Sequence, residues 1–317
     1  MLSTKIDKLA IAVTFYYVEH RLCYLSKISS YFDSLADNVE VFIFTNTQEE
    51  ELQKKIQDSI ARFDFKFKIL VPKLLGHPYL LPWSHLGFFA QLFADDFSIS
   101  HFMYLEDDIC VQKENIDYWL RGREELRPFG LIPSFLRYEL KTNNMDPYST
   151  DLIKQYNPYE YTRAEVSSSY VYLNLPDLYQ GMYLLDRELM SEHLNGMSSN
   201  PDFGKWKIRE KAAQGITFVN IPGGCQARNF VGYDMITGGI DPCCLIHHTP
   251  NNYANNPDTK FAKILVKELV YPRLKSRFVQ PRLKTVDKTV ARIIRYTPEL
   301  FRPMLIKLLN LFVCFGT

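Results

Sequence analysis

The stretch from His101 to Val111 limits the folds open to this chain more than any other. An apolar, strand-like run ends in three adjacent carboxylates, Glu106, Asp107 and Asp108, and apolar residues resume at Ile109. Like charges side by side repel unless positive charge sits among them. A divalent cation supplies such charge well, because carboxylate oxygens are good ligands for it. The expectation is that a strand delivers Glu106 and Asp108 to a metal, and that the metal holds a phosphorylated substrate. The plainer reading is a solvated turn, since Asp and Glu are common where strands end.

The surrounding pattern favours a site. Strand-type runs at residues 8–17, 39–44, 65–71 and 102–105 alternate with helical spacing at 21–35, 49–62 and 83–93. That alternation predicts an α/β sandwich of Rossmann type with a mostly parallel central sheet. Ligands of such sheets bind beyond the carboxyl ends of strands. Thr14, Phe15, Tyr16, Thr45, Asn46 and the acidic triplet all fall at such ends. Further on, the spacing predicts a helix over 115–126, a strand over 131–138 and a long loop over 141–169. A strand over 181–186, helices over 187–194 and 207–214, a strand over 217–221 and a helix over 261–270 follow.

Charge divides the chain unevenly. Residues 263–317 hold 12 Lys or Arg against Glu268, Asp287 and Glu299, a net of +9, which leaves −8 for residues 1–262 when the whole is +1. The expected organisation is a catalytic unit over 1–262 and a basic, helical tail over 263–317. In the tail, residues 286–296 and 300–315 interleave Val, Ile and Leu with Lys and Arg, which suits an anionic membrane surface. The six cysteines form no Cys-x-x-Cys pair, so reduced thiols and a cytoplasmic setting are expected. Nothing at the N-terminus resembles a signal peptide, and the run 9–17 is too short to span a bilayer. The expected location is therefore the cytoplasm, peripheral on the cytoplasmic face of the inner membrane. Nucleic acid is not an expected partner: the body is acidic and no nucleic-acid motif is present. Gly-x-Gly-x-x-Gly and Gly-x-x-x-x-Gly-Lys loops are missing, which disfavours a dinucleotide fold or a P-loop.

Several side chains could serve a phosphorylated ligand. Thr14 to Tyr16 suit base and ribose contact. Trp83 could stack on a base or sugar, or serve as a core residue where a helix starts. Arg137 at a strand end and Arg228 after Gly223-Gly224 are candidates to meet a diphosphate or an anionic acceptor, or to form ordinary ion pairs.

Four local patterns in order resemble the GT-A-type glycosyltransferases, which use nucleotide-sugar donors. Tyr-Leu followed by Glu106-Asp107-Asp108 resembles the Asp-x-Asp metal motif of that family in its Leu-Glu-Asp-Asp form. Gly181-Met182-Tyr183 resembles the small-residue turn beside the sugar site. Glu210 stands where the family places an acid facing the acceptor, and His247 or His248 resembles the late histidine that completes the metal site. The resemblance implies a single GT-A-like α/β/α domain, a nucleotide-diphosphate sugar donor and a glycan or lipid-linked acceptor of cell-envelope polysaccharide synthesis. Asp108 is the favoured metal ligand, with Glu106 or Asp107 on ribose or water; the first position departs from the pattern, being Glu. Mn2+ or Mg2+ suits carboxylate and phosphate ligands, and a histidine tilts the choice to Mn2+. Adjacent strand residues face opposite ways, so one histidine of the pair reaches the ion, His247 being slightly favoured. Glu210 is the expected general base of an inverting reaction, with Asp186 as the fallback.

Two other classes fit less well. A metal-dependent nucleotidyltransferase shares the sheet and paired acids but carries a Gly/Arg-rich phosphate loop after its first strand. A non-catalytic glycan-binding protein has no use for an intact set of acids and histidines. The tail makes its own prediction: deleting residues 280–317 lowers binding to anionic liposomes, and salt weakens the binding of the full chain. A cosedimentation assay checks both.

Overall fold

The structure, a computed structural model, describes residues 5–73, 76–176, 178–271 and 282–283. The first part of the chain alternates as the sequence predicts. It runs β1 (Lys8–Phe15), α1 (Leu22–Ser29), β2 (Asn38–Thr45), α2 (Glu50–Ile60), β3 (Lys66–Leu70), α3 (Ser84–Asp95) and β4 (His101–Glu106). After the triplet come β5 (Ile109–Cys110), α4 (Lys113–Leu126), β6 (Ile132–Pro133), β7 (Leu136–Lys141) and β8 (Asn144–Ser149). Next are β9 (Arg163–Glu165), β10 (Tyr170–Leu173), β11 (Met182–Asp186) and α5 (Arg187–Asn195). The chain continues through α6 (Ile208–Lys211), β12 (Asn229–Asp234), β13 (Gly239–Ile240), β14 (Leu245–His248), α7 (Val266–Leu269) and β15 (Arg282–Leu283).

The protein is α/β, and its sheets are mixed rather than mostly parallel. The first sheet has the order β11-β4-β1-β2-β3. Its β1, β2, β3 and β4 are parallel, and β11 joins β4 antiparallel. Leu9 to Val13 in β1 and Phe102 to Leu105 in β4 are fully buried. Strands buried on both faces read as continuous apolar runs, which is why these were legible in the sequence. The second sheet, β13-β12-β10-β9-β15 with β6 on β12, combines antiparallel and parallel pairs. The third, β5-β14-β7-β8, is also mixed.

α4 ties the third sheet to the body. A capping box between Gln112 and Asn115 starts it, satisfying donors that a helix N-terminus leaves open. Its buried face carries Ile116, Trp119, Arg123 and Leu126 at helical spacing. The Asn115 amide donates to the carbonyls of Cys243 (2.8 Å) and Leu245 (2.9 Å), which fixes the entry to β14.

Several expected elements differ. The run 131–138 is two strands in two sheets, because β6 pairs with β12 while β7 pairs with β14. The expected loop 141–169 contains β8 and β9. Residues 217–221 form turns, not a strand: Thr217 and Val219 bond back to Gln214 and Ile216, and Asn220 has φ 50°. The helices expected over 207–214 and 261–270 shrink to α6 and α7. The division expected at residue 262 is not a break in packing, since Val266, Leu269 and Val270 are buried and Ser149 and Tyr156 donate to the carbonyls of Ile264 and Leu269. The expected tail helices over 286–296 and 300–315 lie outside the described residues. Among the described residues, no helix is long and apolar enough to cross a membrane.

Gly122 gives a test of the α4 packing. A Cβ at this position would stand 2.8 Å from Pro133 Cβ and 3.0 Å from the Tyr172 hydroxyl. Alanine is the better helix former, yet the clash with a rigid proline outweighs that gain. Gly122→Ala is expected to lower stability by about 1–3 kcal/mol in urea unfolding.

Candidate active site

Two registers assemble the site. In the first sheet Thr14 of β1 stands opposite Glu106 of β4, so the chain leaving β1 passes beside the triplet. In the third sheet Ile109 pairs with His248 and Cys110 with His247. β14 in turn pairs with β7, Ile246 opposite Arg137 and His247 opposite Tyr138. Side chains alternate along a strand. His247 therefore stacks on Tyr138 at 5.0 Å, while His248 turns to the other face and meets Glu139.

The carboxylates are held by specific donors. Arg21, at the start of α1, gives Nε to Asp107 Oδ2 at 2.8 Å and Nη2 to Asp107 Oδ1. The same Nη2 reaches Asp108 Oδ2 at 2.8 Å. His248 Nε2 lies 3.6 Å from Asp108 Oδ2, and its Nδ1 is 2.5 Å from Glu139 Oε1. Glu139 is fully buried, and its second oxygen accepts from the Ala254 amide at 2.6 Å. Tyr253 stacks on His248 at 5.5 Å. Glu106 Oε1 accepts from the Tyr179 hydroxyl. The Arg137 guanidinium lies over the Tyr179 ring at 4.7 Å and pairs with Asp151, whose side chain is 9% exposed. Asp108 Oδ1 is buried and has no hydrogen-bond partner among the described residues.

The electrostatics follow from burial and neighbours. Burial works to raise the Asp108 carboxyl, yet His248 and Arg21 bring it down to about 2. Burial, with Asp108 alongside, pushes Glu106 up. Burial also pushes Asp107 up, against the pull of the Arg21 fork. For His248 burial works downward, but the Asp108 and Glu139 carboxylates raise the imidazole to about 9. Glu106, Asp107, Asp108, Glu139 and Asp151 face Arg21, Arg137 and His248. With all of them ionised the cluster keeps an excess of two negative charges.

The remaining candidates divide. Gly181, at φ 65°, closes on the site: a Cβ there would come 3.0 Å from Glu106 Oε2, and its carbonyl accepts from the Glu106 amide at 3.0 Å. Thr14 is half-buried, and Tyr16 is 48% exposed at the end of β1. Asn46 takes a hydrogen bond from the Tyr17 amide at 2.7 Å, which ties the ends of β1 and β2 together. Glu210 accepts from Arg209 Nη2 at 2.9 Å through one oxygen. Its other oxygen is buried without a partner among the described residues. The Arg209 charge acts on Glu106, so the Arg209 side chain is within electrostatic range of the triplet.

Other expectations are corrected. Asp186 is the N-cap of α5, bonded to the Leu189 amide and paired with Arg123, and it stands opposite His101 at the far end of β4. Trp83 is buried, and its indole N–H donates to the Ile208 carbonyl at 2.7 Å, so it offers no face to a ligand. Phe15, Thr45 and Met182 are fully buried as well. Arg228 pairs with Glu192 at 2.6 Å and with the Gly130 carbonyl, away from the triplet. His247 faces away, and His248 is the histidine at the acids.

Arg21, Glu139, Asp151 and Tyr179 were missed in the sequence. One signal was available: Arg137 and Glu139 are two apart on one strand, which places them on the same face. Among the described residues no group of three or more His, Cys, Asp or Glu side chains is set to hold a metal. Asp108 nevertheless fits as one ligand, and His248 fits as a second once its Nε2 gives up the proton that the Asp108 and Glu139 carboxylates favour. Donors ~2.1 Å from one ion lie about 3–3.6 Å apart, and Mg2+ sites commonly take one or two carboxylates and complete the shell with substrate phosphates and water. Glu139 behind the imidazole is the usual support of a ligating histidine.

The raised His248 imidazole sets a pH dependence of stability for the protein without added metal. Its folded pKa of about 9 lies above the unfolded value of 6.5. The contribution is fully present below 6.5 and is lost as pH rises through 9, on the order of 3 kcal/mol in all. Urea unfolding at pH 6.5 and 9.5 checks this, with His248→Gln expected to flatten the dependence. No model of a known protein family matches the chain, and no curated protein is significantly similar to it.

Proposed function

We infer that this chain is a GT-A-type glycosyltransferase, moving a sugar from a nucleotide-diphosphate donor to a glycan or lipid-linked acceptor with the help of Mn2+ or Mg2+. One observation carries the reading. At the carboxyl edge of a parallel β3-β2-β1-β4 array, Asp108 keeps Oδ1 buried and unpartnered among the described residues, while Oδ2, which Arg21 also holds, faces His248 at 3.6 Å. With all its carboxylates ionised, the two excess negative charges of the cluster favour a divalent cation over a monovalent one.

Each residue takes a role that its surroundings support. Asp108 and His248 would hold the cation, which stabilises the charge that builds on a departing diphosphate. Glu106, oriented by Tyr179 and by the close turn at Gly181, is free at Oε2 to meet ribose or sugar hydroxyls. Asp107 holds Arg21 through both oxygens, so it serves the site rather than the ligand. Tyr16 offers an exposed ring at the end of β1 for a base. Glu210, whose Oε2 is buried and without a partner among the described residues and whose neighbour Arg209 acts on Glu106, is the candidate base for an acceptor hydroxyl in an inverting reaction. The basic tail supports a place in the cytoplasm at an anionic membrane face, where lipid-linked acceptors for cell-envelope polysaccharide are found.

The test is a panel of nucleotide sugars with and without Mn2+, read by release of nucleoside diphosphate. Asp108→Ala and His248→Ala are each expected to lower metal-dependent turnover at least 100-fold. Absence of turnover on every donor, or unchanged turnover in Asp108→Ala, overturns the reading.

A further inference from the structure

The guanidinium of Arg21 stands where an incoming cation has to act. Its Nη2 bridges Asp107 and Asp108, and the Asp108 oxygen it touches is the one that faces His248. The other Asp108 oxygen is buried and unpartnered among the described residues, on a side chain only 9% exposed. A divalent ion on Asp108 would bring positive charge next to Nη2, and the two repel strongly in a site with so little solvent. Both cannot hold Asp108 at full strength.

We propose that Arg21 is a built-in counter-ion that competes with the divalent cation for Asp108. In the free protein it neutralises the carboxylates. When the cation arrives, Nη2 leaves Asp108 and the guanidinium stays on Asp107, where Nε holds its own oxygen at 2.8 Å. The geometry permits this small movement. Arg21 comes from a 3-10 turn, Glu19–Arg21, that has no side-chain cap and no buried residue, and its side chain is 29% exposed. His248, by contrast, is fixed from behind by Glu139. Arg21 is thus a positioning residue that sets how tightly, and with what partner, the acids engage a cation.

The inference rests on the cation reading above, and Mn2+ alone is the probe. Binding is followed on the whole protein by electron paramagnetic resonance and calorimetry, without nucleotide. Arg21→Ala and Arg21→Gln are expected to bind Mn2+ at least tenfold more tightly than wild type. Low-millimolar guanidinium is expected to weaken Mn2+ binding to Arg21→Ala and leave wild type unaffected. If Arg21→Ala folds poorly, the Mn2+-induced rise in its Tm replaces the titration and should exceed that of wild type. Equal or weaker Mn2+ binding in both variants, no effect of guanidinium, or no greater rise in Tm overturns the proposal. An active transferase with unchanged Mn2+ affinity in the variants removes this proposal alone. Tighter Mn2+ binding in a protein that turns over no donor removes the glycosyltransferase reading and leaves this one standing.

Discussion

Three successive carboxylates at one strand end repel one another, and the site is built around relieving that repulsion. Two unit charges 4 Å apart interact by about 4 kcal/mol at an effective dielectric of 20. Asp107 and Asp108 are nearly buried, so water relieves little of it. Arg21 relieves it from the chain leaving β1, and His248 from a strand 140 residues further on. Glu106 is treated differently: its direct contact is the neutral Tyr179 hydroxyl, and the Arg137 and Arg209 charges act on it without a hydrogen bond. The result is unequal by design of the fold: among the described residues both Asp107 oxygens are engaged, Glu106 has one oxygen in use, and Asp108 keeps one oxygen free in a dry setting.

The two sheets divide the work. The first presents the triplet at the edge where parallel strands leave room for a ligand. The small third sheet brings in His248, Glu139 and Arg137, because β5 follows the triplet immediately and its pairing with β14 dictates what stands next to Asp108. A slip of one residue in that pairing would replace His248 with His247 and turn the site inside out. α4 guards against the slip through Asn115, whose amide holds both Cys243 and Leu245. A helix cap and the register of the candidate site are in this way one structure.

The parts legible in the sequence were those with strong periodicity or full burial. β1, β2 and β4 read correctly because continuous apolar runs of that length have few other uses. The strands that failed were short or owed their existence to partners. β8 reads Asn-Met-Asp-Pro-Tyr-Ser, without apolar alternation and with a proline inside, and is held by its pairing with β7 and contact with residues 264–265. Residues 217–221 had the β-branched composition of a strand, but successive turn hydrogen bonds claimed their amides. Within the site, the acids were legible because three in a row is rare, and Gly181 through its resemblance to the small-residue turn of the GT-A family. The choice between His247 and His248 depended on register, which two-residue strands do not encode in composition. Asp186 looked available as a base, and only the antiparallel direction of β11 sends it to the far end of β4.

The two cationic partners of Asp108 differ in how firmly they are held, and that difference gives the site its character. His248 lies on a sheet strand, bonded to a fully buried glutamate that is itself locked by the Ala254 amide, with Tyr253 across its face. Any displacement of that ring strands the Glu139 charge in the core, so the ring stays. Arg21 hangs from a single exposed turn, and its fork on Asp107 survives the loss of the Asp108 contact. A ligand that brings its own positive charge therefore meets one rigid donor and one yielding counter-ion. Rigidity on the His248 side keeps the approach geometry fixed, and compliance on the Arg21 side lets Arg21 compensate the Asp107–Asp108 carboxylate pair. Both demands fall on Asp108 alone, which is why its two oxygens are so differently placed.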